Sequence, residues 1–119
     1  MKKAHIRDYA MEAFRYYAVV GGVSGARRRW GYRAEDHAPE LADLEAVDRA
    51  LAAMGRRDPS AAAAVRIVYM SFPSAPVGRN TISSRIMWAA QHIPASPRYV
   101  YRALAEAREM FARERGLRI

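Results

Sequence analysis

Three residues near the end of this chain, Pro94, Ser96 and Pro97, constrain its last third. Pro94 disfavours helical geometry at Ile93, so a helix running from Ile82 must stop near His92. Ser96 has the chemistry of an N-cap. Pro97 falls at the first helical position, where its missing N–H would have had no intrahelical partner. The spacing predicts a helix over Ile82–His92, a tight turn at Ile93-Pro94-Ala95, and a long second helix from Ser96 to Arg115. Such a turn length is that of a helix-turn-helix.

The apolar periodicity agrees. Ile82, Ile86, Ala89, Ala90 and Ile93 form one stripe, and Val100, Ala103, Leu104, Ala107, Met110 and Phe111 another. At about 100° per residue, Arg98 and Arg102 lie nearly opposite the second stripe. Ala105 and Glu109 continue that outward face, and Tyr101 borders it. A second helix that is basic on its outer face can enter the major groove of duplex DNA. Arginine suits the task, because its planar fork can bond the O6 and N7 of guanine together.

Ser96-Pro97-Arg98-Tyr99-Val100-Tyr101-Arg102-Ala103-Leu104, followed by Ala107-Arg108 and Phe111-Ala112, resembles a known family. It is similar to the C-terminal helix-turn-helix of ArpU/RinA-like phage late-gene regulators, which are themselves similar to sigma-factor region 4. The likeness covers about the last third of the chain. Two departures stand out: Pro94 occupies a turn position where many such proteins carry Gly, and Tyr99 and Tyr101 are bulkier than the usual polar readers. The resemblance implies a transcription regulator of phage or prophage type, an activator, with RNA polymerase as a possible partner.

Charge points the same way. The net charge is +8, distributed as +6 over residues 1–33, −3 over 34–78 and +5 over 79–119. Two basic ends flank an acidic middle, the electrostatic footprint of a polyanion binder. With 119 residues the chain suits one domain with one core, organised as an N-terminal helical part (1–72) and a helix-turn-helix part (79–119). No Cys is present, so disulfides, thiolate nucleophiles and Cys-ligated metals are excluded. The N-terminus lacks a secretory apolar region and no apolar run is long enough for a membrane span, so a cytoplasmic protein is expected.

Upstream, Ala4–Val20 reads as a helix with Ile6, Tyr9, Ala10, Ala13, Tyr17 and Val20 on its apolar face. Gly21-Gly22-Val23-Ser24-Gly25 reads as its terminating turn, and Arg27–Arg33 as loop or loose helix anchored by Trp30. Glu40–Met54 carries Leu41, Leu44, Val47, Leu51 and Met54 at helical spacing, with Gly55 as its stop. Asp58-Pro59 repeats the cap-then-proline signal and starts a helix running to about Met70, with Val65, Val68, Tyr69 and Phe72 as core contacts. Phe72–Gly78 is a Pro-rich connector. The fold expected is therefore all-α, with about five helices.

The expected DNA-contacting residues are Ser96, Arg98, Tyr99, Tyr101 and Arg102, with Arg79, Arg85 and Arg108 positioning the backbone. Arg27, Arg28 and Arg29 form an accessory basic patch able to hold phosphates. Tyr99 borders the apolar stripe, so burial competes with its DNA role. Trp88 lies opposite the first stripe, and packing against the N-terminal helices is favoured over a partner surface. A homodimer would enlarge the short site that one recognition helix reads. His37 lies near Asp36, Glu40 and Asp43, but without metal-ligand spacing it reads as a loop histidine among surface acids. No phosphate loop, dinucleotide fingerprint or nucleophile elbow occurs, so neither enzyme activity nor a cofactor is expected. The alternative is a helical interaction module whose basic face binds an acidic partner, such as a phage assembly factor.

Overall fold

Prolines and their preceding residues set the helix boundaries at two of the junctions. Asp58 is held extended (φ −149°) ahead of Pro59, and its N–H still reaches the Met54 carbonyl at 2.7 Å. The helix before it therefore runs on to Arg57, past Gly55, and the sequence expectation of a stop at Gly55 is corrected. A glycine inside a helix costs little when nothing else ends the helix, whereas Pro59 excludes helical geometry at the preceding residue.

The computed structural model describes residues 2–71, 78 and 80–117, with Lys3 described by its backbone alone. Its helices are α1 (Lys3–Val20), α2 (Gly22–Trp30), α3 (Ala38–Arg57), α4 (Pro59–Val65), α5 (Thr81–His92) and α6 (Pro97–Arg115). A 3-10 segment, Gly31–His37, joins α2 to α3, and α4 widens into a π-helical turn over Arg66–Met70. No strand occurs among the described residues, and the fold is all-α. The expected Pro-rich connector and the Phe72 core contact lie outside the described residues.

Helix α2 occupies the stretch where the sequence predicts a turn followed by loop or loose helix. Gly21 closes α1 in the left-handed region (φ 82°), its N–H bonding the Tyr17 carbonyl at 3.1 Å. The turn takes little more than that residue, and α2 folds back at once. Gly25 makes this possible: a Cβ there would lie 2.1 Å from the Val20 carbonyl oxygen.

Helix α6 contacts α1, α3, α4 and α5, and so forms the hub of the bundle. Its buried face is Val100, Ala103, Leu104, Ala107, Phe111 and Ala112. The main core joins these to Ala10 and Phe14 of α1, Val47 and Met54 of α3, Val65 and Val68 near the end of α4, and Ile86 of α5. Phe14, Tyr69 and Phe111 meet ring to ring, with centroids 5.8 and 6.0 Å apart. A smaller cluster of Val20, Ala26 and Leu44 secures α2, with Trp30 packed against it.

Tyrosine–aspartate hydrogen bonds lock the helices in register. The Tyr9 and Tyr17 hydroxyls donate to Asp43 and Asp48, each at 2.7 Å, and the Arg115 Nε donates to Asp43 at 2.6 Å. Burial, then the bond to Asp48, pushes the Tyr17 hydroxyl up to about 12. Tyr9 is raised for the same reasons, and Asp43 raises Arg115.

Candidate nucleic-acid interface

Ser96 caps α6 as its sequence requires: its Oγ accepts the Tyr99 N–H at 3.1 Å. Asp58 does the same for α4, accepting the Ala61 N–H at 3.2 Å. One further bond ties these two helix starts together, from the Tyr99 hydroxyl to Asp58 Oδ2 at 2.5 Å. That bond holds the Asp58 carboxyl below its usual range, while burial and the same bond push the Tyr99 hydroxyl up to about 12. Tyr99 is thereby committed to positioning α6.

The turn between α5 and α6 closes through the Ile93 N–H to the Ala89 carbonyl and the Ala95 N–H to the Ala90 carbonyl, both at 3.0 Å. Ala89 and Ala90 are buried where the helices meet. Small side chains let the two helices approach closely. The outer face of α6 begins directly after this turn.

Arg98, Tyr101 and Arg102 occupy the first two turns of that face, all exposed, with Tyr101 at 53%. Neither Arg98 nor Arg102 makes an ion pair among the described residues. The nearby acid Glu106 is taken by Arg57, and Glu109 follows on the next outward turn. Two free guanidinium groups thus flank an exposed phenol beside a capped helix N-terminus. Such an arrangement can engage base edges and phosphate oxygens together.

The other expected contacts are placed differently. Arg85 is half-buried and donates from Nη1 to the Val68 carbonyl at 3.0 Å, serving a carbonyl near the end of the widened turn. Arg108, also half-buried, donates to the Tyr69 hydroxyl at 3.0 Å. Arg79 lies outside the described residues. Arg27, Arg28 and Arg29 are exposed in the last turn of α2, which contacts α1, α3 and the 3-10 segment but neither α5 nor α6. The structure does not bring that patch to the α6 face.

Trp88 corrects an expectation. Instead of being buried against the N-terminal helices, it is 50% exposed. Its ring stacks on His92 with centroids 3.4 Å apart, and His92 Nδ1 donates to the Trp88 carbonyl at 2.8 Å. Among the described residues α5 meets α4, the widened turn and α6, so its outward side has no helix to face. Trp88 lines a largely apolar groove of about 680 Å³ with Ile67, Ser71, Thr81, Ser84 and Arg85. Neighbouring Met87 is 53% exposed. Sequence periodicity located the Trp88 face correctly, but does not encode that no helix among the described residues packs over it.

Among the described residues no group of three or more His, Asp or Glu is placed to hold a metal, and no helix is long and apolar enough to cross a membrane. Comparison of the chain with family models, with curated proteins and with solved structures finds no match.

Proposed function

We propose that this protein is a sequence-specific duplex-DNA-binding transcription regulator of phage or prophage type, acting as an activator. The observation that carries the DNA-binding reading is the outward face of α6, where Arg98 and Arg102 stand exposed, without an ion pair among the described residues, on a helix held from behind by the rest of the bundle. A rigid support matters because base readout needs the guanidinium forks at fixed positions. Activation, and contact with RNA polymerase, come from the family resemblance of the α5–α6 segment.

The test is selection from a random duplex library at about 150 mM salt, where non-specific binding is weak. A defined consensus should emerge. Arg98→Ala or Arg102→Ala should then cost about 1–3 kcal/mol on the selected site and relax preference at one base position. Selection without a consensus, or a selected-to-scrambled ratio unchanged in both variants, rejects the reading.

A second reading has its own observation. Exposed Trp88 and Met87 beside the apolar groove suit a protein-interaction module. Failure to enrich any duplex, together with salt-sensitive binding to an acidic polypeptide, would favour it.

A further inference from the structure

The structure holds two arginine-rich faces, and helix geometry separates them. Helix α3 runs antiparallel to α6. Asp43 meets Arg115, Arg49 meets Glu114 at 3.9 Å, Arg57 pairs with Glu106, and Asp58 accepts from Tyr99. Arg27 reaches Glu45 at 3.5 Å, which sets the end of α2 beside the first turns of α3. That is the end of the bundle where α6 finishes, not where it starts. From Arg98 to Arg115, α6 rises about 26 Å at 1.5 Å per residue, within a molecule 44 Å long.

The faces are also separated in depth. Helices α1 and α3 lie on the buried side of α6, and α2 packs on α1 and α3. The α2 end therefore stands behind the outward face of α6 by at least one helix layer, about 8–10 Å.

The chemistry of the α2 end suits phosphate. Arg28 and Arg29 are exposed and make no ion pair among the described residues; Arg27 shares Glu45 with Arg49. Tyr32 is 91% exposed, and the Arg33 guanidinium lies 5.8 Å from its ring centroid. Glu35 and Asp36 follow in the same segment without pairing to these arginines. Three adjacent arginines are tolerated because they sit at the negative end of the α2 dipole.

We infer that the α2 end is a second duplex-binding surface and that the protein joins two separate DNA segments. One segment lies against α6, and the other is held through its phosphates by Arg28, Arg29 and Arg33. This rests on the DNA-binding reading of α6. A single duplex touching both faces would have to wrap around the bundle within a few turns. DNA stays nearly straight over about 150 bp, so a second segment is favoured. Contacts to phosphate alone make that second site indifferent to sequence.

The experiment is a bridging capture. A duplex carrying the selected site is fixed to beads and loaded with protein, then offered a fluorescent duplex lacking the site. The wild-type protein should retain the second duplex. The triple variant Arg28→Ala, Arg29→Ala, Arg33→Ala should bind the fixed duplex within about threefold of wild type but capture the second at least about tenfold less, having lost its phosphate contacts. Circular dichroism of the variant should match wild type, since all three side chains are exposed. Undiminished capture by the variant, as a dimer bridging through two α6 faces would give, overturns the proposal. So does parallel loss of both duplexes, which would place both faces on one DNA. Loss of every duplex interaction already in the wild-type protein would instead remove the α6 reading, and this inference with it.

Discussion

The two ends of the bundle are built by different physics. At one end α4 and α6 begin on side-chain caps, Asp58 and Ser96, each followed by proline, and Tyr99 links the two starts. At the other, α1 and α2 meet through glycines, with close backbone approach and a small cluster around Leu44. The first end is specified by groups that make bonds, and the second by the absence of a side chain. Capped starts tolerate variation around them, whereas a backbone contact at van der Waals range does not.

The comparison breaks if either end can be lost alone. Leu44→Asp strikes the α2 cluster and Val68→Asp the main core, both at fully buried positions. Each should destabilise the whole protein by about 4 kcal/mol or more, because an unpaired charge is buried. Thermal melts within a few degrees of wild type for either variant would show that the two ends do not share their stability.

A sharper contrast comes from two glycines. Gly25→Ala should cost about 1–3 kcal/mol, since the new methyl meets the Val20 carbonyl and α2 must shift. Gly55→Ala, inside α3 with nothing within 4 Å of the added Cβ, should stabilise by about 0.5–1 kcal/mol. Denaturant midpoints of the pair check the sign; equal effects would remove the distinction between a required and a permitted glycine.

The smallest expected effect is common to both ends. Tyr17 and Tyr99 hold their protons to about 12, against about 10 for an unfolded tyrosine. The native state thus binds more protons than the unfolded one between these values, and stability should fall as pH rises from about 10 to 12. Tyr17→Phe and Tyr99→Phe should each flatten part of that decline in pH-dependent melts. A decline unchanged in both variants would assign it to other groups.

How much the sequence revealed follows the same division. The α4 and α6 starts were legible because a cap and a proline act on their immediate neighbours, and the apolar stripe of α6 was recovered apart from half-buried Met110. The stop at Arg57 is harder to read because Gly55 resembles a helix terminator, yet Pro59 excludes helical geometry at Asp58 just as Pro94 does at Ile93. Helix α2 was missed because local composition says turn, while the contact that needs Gly25 lies across two helices. Among the site residues, Arg98 and Arg102 could be placed outward from periodicity. The inward commitments of Arg85 to Val68 and Arg108 to Tyr69 depend on partners 17 and 39 residues away, which periodicity does not encode.

Each end also carries one of the chain's two tryptophans, and each indole lies on an imidazole. Trp30 stacks on His37 with centroids 4.4 Å apart, and Trp88 on His92. The protein therefore contains a separate optical address for each end. Replacing one indole with phenylalanine leaves the other as the sole source of indole emission. A duplex added to the two single-tryptophan forms would reveal, without any attached dye, which end it reaches and in what order.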